Sequence, residues 1–130
     1  MRHLREASTR YVQVFFLVLL SATARAGEFP VTAAYGTLSA CAAFVHGGVQ
    51  AVEAGDDVTA LLITPSELAA AGLKCPADKA QIRGISVTVE CVLAGSDQPF
   101  ELTARIDENA TAKKVTYSSS ISTAILGRCD

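Results

Sequence analysis

The sequence contains no tryptophan, and only 6% of its residues are aromatic. A surface that stacks carbohydrate rings on aromatic side chains is therefore not indicated. Charged residues are also few, at 18% of the chain with a net charge of −2. Because nucleic acids are bound mainly through clustered Lys and Arg, this balance argues against nucleic-acid binding. Half of the 130 residues are hydrophobic, which argues against disorder and suits one domain.

Motifs of the common enzyme classes are missing as well. There is no G-x-S-x-G elbow, no phosphate-binding glycine loop and no calcium-loop pattern. The acidic pairs Asp56–Asp57 and Asp107–Glu108 fall in predicted polar loops, where carboxylates are usually solvated. Only one histidine, His46, follows residue 26, so a histidine metal cluster is excluded by number. We therefore predict no catalytic residue, no cofactor and no metal site.

The first 26 residues have the pattern of a secretory signal peptide. Arg2 and Arg5 precede an apolar run over residues 12–20, and small residues end in Ala24-Arg25-Ala26. The run is much shorter than the about 20 residues that a spanning helix needs. We predict cleavage after Ala26, and the alternative is an uncleaved anchoring helix.

Cleavage there would leave a single domain, residues 27–130, with a more acidic balance. This part keeps 7 of the 11 basic residues and 12 of the 13 acidic ones, a net charge of −5. Such a surface repels anionic membranes and nucleic acid, and it attracts a basic partner. A basic protein or a protein of the cell envelope is therefore the expected partner, although an acidic surface also simply serves solubility.

Four cysteines, Cys41, Cys75, Cys91 and Cys129, follow the predicted cleavage site. An even number in a small exported chain predicts two disulfides. A zinc site is less favoured because no two cysteines form a tight C-x₂₋₄-C pair. The sequence has no C-x-x-C redox motif either.

The pairing of these cysteines is indicated by a strongly alternating strand over residues 85–93. Arg83-Gly84 can turn the chain just before it, and a hairpin centred near residue 83 places Cys75 opposite Cys91. Cys41 then pairs with Cys129. The rival pairing joins Cys41 to Cys75 and Cys91 to Cys129.

The remaining pattern predicts a mainly β (α+β) domain: a small antiparallel meander or barrel-like sheet with one or two short helices. Further strands are expected at residues 30–36, 58–64, 73–77, 100–106, 115–121 and 123–129, the fifth as an exposed sheet edge, with a polar loop at 107–114. Thr37 is expected to cap a helix with Leu38, Cys41, Ala42 and Val45 on its apolar face, and residues 49–57 form a loop or a second helical turn.

Residues 65–72 allow two interpretations. Thr64-Pro65-Ser66-Glu67 has the pattern of a helix capping box with proline at the first helical position. The alanines that follow favour helix over strand. We therefore predict a short helix, with a strand as the alternative.

The layout of these features resembles small exported four-cysteine β proteins of bacteria. The shared features are Gly36-Thr37 before Cys41, Leu-Leu-Ile-Thr-Pro at residues 61–65, Cys75, Val89-Glu90-Cys91 and Leu126-Gly127-Arg128-Cys129. The chain departs from the pattern in having no tryptophan near Cys75 and Ala-Gly-Ser at residues 94–96. The resemblance implies a disulfide-tied β fold and supplies no catalytic residues. A looser similarity of fold type links the chain to periplasmic lysozyme inhibitors, whose inhibitory loop motif is not visible here.

Three functions follow as hypotheses. The first is an exported, non-catalytic protein-binding module, for example an inhibitor, in the periplasm or the medium. The second is a structural or stress-related envelope protein without a tight partner. The third is a small hydrolase with His46 as its base, although a histidine at a helix end more often simply interacts with the helix dipole.

Overall fold

The computed structural model describes residues 27–130, so the predicted signal peptide lies outside the described residues. Nine strands, two helices and one 3₁₀ turn are found in this part of the chain. The strands are β1 (Tyr35–Gly36), β2 (Leu61–Ile63), β3 (Glu67–Ala70), β4 (Leu73–Pro76), β5 (Gln81–Arg83), β6 (Ser86–Leu93), β7 (Phe100–Asn109), β8 (Lys114–Ser119) and β9 (Thr123–Arg128). The helices are α1 (Leu38–Gly47) and α2 (Val49–Glu53), and the 3₁₀ turn is Ala77–Lys79.

Eight of the strands close into an antiparallel barrel. Their order is β4-β3-β2-β1-β9-β8-β7-β6, and β6 pairs again with β4 to complete the circle. The short strand β5 pairs with the first residues of β6, on the same edge that β4 pairs with at the other end of β6. The predicted fold class is thus confirmed. The exposed edge predicted at residues 115–121 is wrong, because β8 lies between β7 and β9 and pairing on both sides leaves it no edge.

The two ends of the barrel differ, and we call them the closed end and the open end. At the closed end the segment before β1 turns inward and buries Phe29 and Val31 in the barrel cluster. The Phe29 amide donates to the carbonyl of Pro65, in the β2–β3 turn at that end. The strand predicted over residues 30–36 is therefore reduced to Tyr35–Gly36, because the preceding residues serve as a plug.

The helices cover the outer face of the barrel at β2 and β3. Ile63 points into the barrel cluster, whereas the neighbouring Leu62 belongs to an outer cluster with residues of α1 and α2. Burial on both faces explains why this stretch lacks alternation. The predicted strand over residues 58–64 is shorter than expected, since Asp57 and Thr59 form a turn before it.

The predicted apolar face of α1 is wrong, although Thr37 does cap the helix as expected, accepting from the Ala40 amide. Leu38 is 93% exposed and Val45 60% exposed, whereas Ala40 is fully buried. Small side chains let the helix lie close to the sheet. A Cβ at Gly36 would stand 3.3 Å from the Ala40 Cβ and from the Cys41 Sγ of α1, and 3.0 Å from the Leu61 carbonyl oxygen of β2, so this contact leaves little room for a larger residue.

The helix predicted at residues 65–72 is also wrong, because Glu67–Ala70 forms β3. The capping contact itself is present, since the Thr64 hydroxyl accepts from the Glu67 amide at 3.1 Å. The Thr64 amide, however, donates to the Glu67 carbonyl at 2.8 Å, which closes a two-residue hairpin turn. Pairing with β2 and β4 then outweighs the helical preference of the alanines.

The polar loop predicted at residues 107–114 is replaced by strand as far as Asn109. Asp107 pairs with Thr116 and Glu108 with Val115. The turn is confined to residues 110–113, where Lys113 takes a positive φ of 57°. Asp107 is exposed on the outer face, and the Glu108 carboxylate accepts from the Tyr35 hydroxyl, so both residues are compatible with strand pairing and polarity alone misplaced this boundary.

Both predicted disulfides are present. Cys75 joins Cys91 inside the barrel with a Cα–Cα distance of 4.3 Å, and Cys41 joins Cys129 at 5.0 Å. The first crosses from β4 to β6, and the second ties α1 to the chain just after β9. Two disulfides in so short a chain indicate folding in an oxidising compartment outside the cytoplasm.

Candidate functional site at the open end of the barrel

The open end leads into an apolar cavity of about 340 Å³. Its wall comes from alternate residues of several strands, which point inward by the two-residue period of a β-strand. Leu61 and Leu68 form one side, and Leu102 and Ala124 form the other. The cavity exists because the inward residues near this end do not fill the barrel, whereas the closed end is filled by its plug.

Two exposed apolar side chains stand on the rim of this cavity. Val58 is 88% exposed and Ile121 is 81% exposed, and both line the cavity mouth. Phe100, at 37% exposure, contributes a third apolar surface. Single exposed apolar residues are common, but several around one apolar opening mark an interaction site.

The turns that carry these rim residues are fixed by side-chain hydrogen bonds. Asp57 Oδ1 accepts from the Thr59 amide at 3.0 Å and from the Thr59 hydroxyl at 2.7 Å, which holds Val58 between them. Ser119 Oγ accepts from the amides of Ile121 and Ser122, each at 3.2 Å. The rim is therefore held in place before any partner arrives.

The cavity lining includes polar side chains, those of Thr37, Thr59, Tyr117, Ser119, Ser122 and Thr123. Tyr117 is 4% exposed and lines the cavity. Its counterpart Tyr35 donates to Glu108, but the Tyr117 hydroxyl makes no hydrogen bond with another described residue. Within residues 27–130, Glu67 Oε2 is the one sealed side-chain oxygen without a partner. The Tyr117 hydroxyl is not such a sealed atom, and Tyr117 lines the cavity.

The open end is negatively charged. The loops around it, residues 54–60, 71–72, 94–99 and 120–122, contain Asp56, Asp57 and Asp97 and no Lys or Arg. Hydrogen bonds from the side chains of Thr59 and Ser39 hold the pKa of Asp57 below its usual value. These hydrogen bonds therefore favour the charged form of Asp57.

A hydrogen-bonded cluster pins the plug at the closed end. Glu108 Oε2 accepts from the Tyr35 hydroxyl at 2.7 Å, and from the amide and hydroxyl of Thr32 at 3.1 and 2.7 Å. Burial raises the pKa of Glu108, but the bonds from Tyr35 and Thr32 outweigh it and leave the pKa lowered. Burial, followed by the bond to Glu108, raises the pKa of Tyr35 to about 12. These hydrogen bonds tie the segment before β1 to strand β7 at the closed end.

A pair of carboxyl groups lies outside the barrel wall, where Glu67 of β3 meets Glu53 at the end of α2. Partial burial, then the hydrogen bond and charge of Glu53, raise the pKa of Glu67 to about 7, while Lys74 acts in the opposite direction. A shallow hollow of about 220 Å³ borders Glu53 and Lys74. Glu67 does not line it, so the pair and the hollow do not form one site.

The residues considered from the sequence are not brought together. His46 lies exposed in the last turn of α1 and does not line the cavity. Asp56 and Asp57 lie at the open end, whereas Glu108 belongs to the closed-end cluster. In the described ranges, no group of three or more His, Cys, Asp or Glu could hold a metal ion. No helix among residues 27–130 has both the length and the hydropathy that a membrane crossing needs.

The sequence pattern predicts neither the exposed rim residues nor the position of Tyr117 in the cavity lining. Val58 was assigned to a buried strand, and Ile121 to the end of a strand. The signal that could have found the first turn is Asp57-Val58-Thr59, a pattern in which an aspartate accepts from the residue two positions on. Comparison with protein-family models, curated proteins and solved structures finds no match to this chain.

Proposed function

We propose that this chain is an exported, non-catalytic protein-binding module whose binding surface is the open end of the barrel. One observation carries the proposal: Val58 and Ile121 are held outward by fixed turns on the rim of an apolar cavity. Exposing them to water is unfavourable, and covering them with a partner would recover part of that free energy. Fixed turns also lower the entropy that a partner must remove.

The charge of the open end supports a basic partner. Three aspartates surround the mouth, and none of its loops carries a Lys or Arg. A cationic surface would be steered to this end, and mismatched anionic surfaces would be repelled. Disulfides and the signal-peptide pattern favour the periplasm or the medium as the place of binding. The module would be an inhibitor where the covered surface is the partner's own active site.

Two rim variants and one matched control test this proposal. Val58→Asp and Ile121→Asp place a charge on the rim, whereas Ile125→Asp makes the same change at a 71% exposed position on β9 that does not line the cavity. The wild-type protein is cross-linked in envelope extract and medium of its host. A protein recovered in stoichiometric amount is identified and purified, and its affinity is measured by calorimetry.

We expect each rim variant to weaken binding by about tenfold or more, as losses at central interface positions do. Ile125→Asp should leave the dissociation constant within about twofold, in the range of near-neutral peripheral contacts. The proposal is wrong if the rim variants bind like the wild type. It is equally wrong if no stoichiometric protein is recovered from either compartment.

A further inference from the structure

We infer that the cavity is an anchor pocket for one aromatic side chain with a polar edge, a Trp or Tyr, followed by a Lys or Arg on the same partner. This inference rests on the proposed function and specifies the chemistry of the partner. Three features of the open end point to it: the volume of the cavity, the hydroxyl of Tyr117 and the charge of the rim.

The volume suits a large side chain. An apolar cavity of about 150 Å³ holds one benzene molecule, and this cavity measures about 340 Å³. A two-ring indole, or a phenol with part of its backbone, fills that space better than an aliphatic side chain does. The walls contributed by Leu61, Leu68 and Leu102 give such a ring apolar contact on several sides.

The Tyr117 hydroxyl supplies the polar contact. Tyr117 pairs with Ile106 and Ala124 in the sheet and lines the cavity, and its hydroxyl makes no hydrogen bond with another described residue. A guest without a polar atom would cover this hydroxyl and leave it without a hydrogen bond, which is unfavourable. The N–H of an indole or the O–H of a phenol avoids that cost, because a hydroxyl both donates and accepts.

The rim supplies the charge. Asp56 and Asp97 are exposed in loops at the open end of the barrel, and Asp57 directly precedes the rim residue Val58 and accepts from the turn that holds it. A cation next to the aromatic anchor would face these carboxylates while the ring enters the cavity. Aromatic residues and arginine are also the residues that dominate protein–protein binding energies.

Small probes test the pocket without knowledge of the partner. Tryptamine, an indole with a cation, and indole-3-acetate, an indole with an anion, are titrated separately into the ¹⁵N-labelled protein and followed by NMR. We expect tryptamine to shift resonances of Leu61, Leu102 and Tyr117, with a dissociation constant at least threefold below that of indole-3-acetate at low salt. The difference should shrink in about 1 M salt, where the screening length falls to about 3 Å.

Variants separate the three features. Ala124→Phe fills the cavity and should abolish tryptamine binding, whereas Ile125→Phe enlarges the next residue on the outer face and should not. Tyr117→Phe keeps the ring, removes the hydroxyl and should weaken tryptamine binding by about fivefold, the loss of one hydrogen bond near 1 kcal/mol. Tyr117→Phe decides the matter if Ala124→Phe fails to fold. The pocket is refuted if tryptamine shifts no resonances of the cavity residues. It is also refuted if Ala124→Phe and Tyr117→Phe bind tryptamine as tightly as the wild type.

The partner experiment distinguishes this inference from the proposed function. A captured protein that loses binding to Val58→Asp but not to Ala124→Phe overturns the anchor and leaves the protein-binding function intact. A partner that loses binding to both, and whose own Trp or Tyr is needed, supports both. Tryptamine in the cavity without any recoverable protein partner overturns the proposed function together with the anchor, and assigns the pocket to free small molecules.

Discussion

Cys75 and Cys91 face each other across the seam that closes the barrel. Only two residue pairs, Leu73 with Leu93 and Lys74 with Val92, join β4 to β6. The disulfide lies at the next position of the same register, with its two sulfur-bearing residues fully buried. The adjoining seam between β6 and β7 has six residue pairs. The covalent bond therefore stands at a seam with little backbone pairing.

Removal of this bond should open the seam locally. For the double variant Cys75→Ala/Cys91→Ala, the chain-entropy model gives a loss of about 3 kcal/mol in the free energy of unfolding. Because the seam has little other pairing, amide exchange at Lys74 and Leu93 should become faster than exchange in β7 and β8. Denaturant unfolding and hydrogen-exchange NMR measure the two effects.

The other disulfide provides the control. Cys41→Ala/Cys129→Ala removes a loop closure of 88 residues, which the same model values at about 4–5 kcal/mol. This variant should lose as much global stability or more, while exchange at Lys74 and Leu93 follows global unfolding only. Equal local exchange in both double variants would contradict the role assigned to Cys75–Cys91.

Stability should decrease between about pH 4 and pH 7 because of Glu67. The fold raises its pKa to about 7, through partial burial and the neighbouring Glu53, from an unfolded value near 4.3. A raised carboxyl pKa means that folding favours the protonated form. Its contribution is therefore fully present below the unfolded pKa and is lost as the pH rises through 7. Urea unfolding at a series of pH values measures this slope.

Glu67→Gln removes the titration and should flatten the slope, so that the variant becomes more stable than the wild type above pH 7. Glu90→Gln is the matched control, since Glu90 is exposed on the outer face of β6. An unchanged slope in Glu67→Gln would show that the Glu53–Glu67 contact has no part in it. Lys74 lowers the pKa of Glu67 in the wild type, so Lys74→Met should raise that pKa further and extend the loss of stability to higher pH.

Glu90 and Glu101 are directly opposite on neighbouring strands, and both are exposed. Like charges in this position are unfavourable, so Glu101→Lys should stabilise the fold by about 0.2–1 kcal/mol at low salt. Glu90→Lys should have a similar effect. The double swap restores a like-charge pair and should lose most of the gain, which thermal unfolding at low and high salt can measure.

Tyr35→Phe should release the plug at the closed end. The change keeps the buried ring and removes the hydrogen bond to the Glu108 carboxylate, a loss of about 1.5 kcal/mol for a bond to a charged group. Since the fold raises the pKa of Tyr35 to about 12, the wild type should also lose stability as the pH rises from about 10, its unfolded value, towards 12. Tyrosinate absorbance and unfolding midpoints in this range measure both, with Tyr117→Phe as the comparison.

The fold class and the disulfides were predictable because both follow from short-range pattern. Leu73 pairs with Leu93 and Lys74 with Val92. The pairing of β4 with β6 is therefore centred on residue 83, as the predicted hairpin requires. The intervening 3₁₀ turn and β5 follow a different register, in which Gln81 pairs with Thr88. Local alternation indicated Cys91 as the partner of Cys75. It did not indicate that a 3₁₀ turn separates β4 from β5 and changes the register.

The errors concern tertiary context. At Thr64 the same threonine–amide bond serves a helix cap or a hairpin turn, and only pairing with neighbouring strands decides between them. The exposed Leu38 and the buried Ala40 depend on how closely α1 approaches the sheet at Gly36. The cavity depends on the volume left between side chains from distant parts of the chain. Sequence periodicity contains no measure of such a volume.

Burial of β2 on both faces has a consequence for how the strand finds its position. A shift of one residue would exchange Leu62 with Leu61 or Ile63, at little hydrophobic cost, so burial alone does not select the alignment. The threonines at the two ends of β2 select its alignment. Thr37 exchanges hydrogen bonds with the backbone of Leu61 at one end, and Thr64 binds the backbone of Glu67 at the other. Hydroxyl groups, and not the apolar side chains between them, thus specify which leucine enters the barrel.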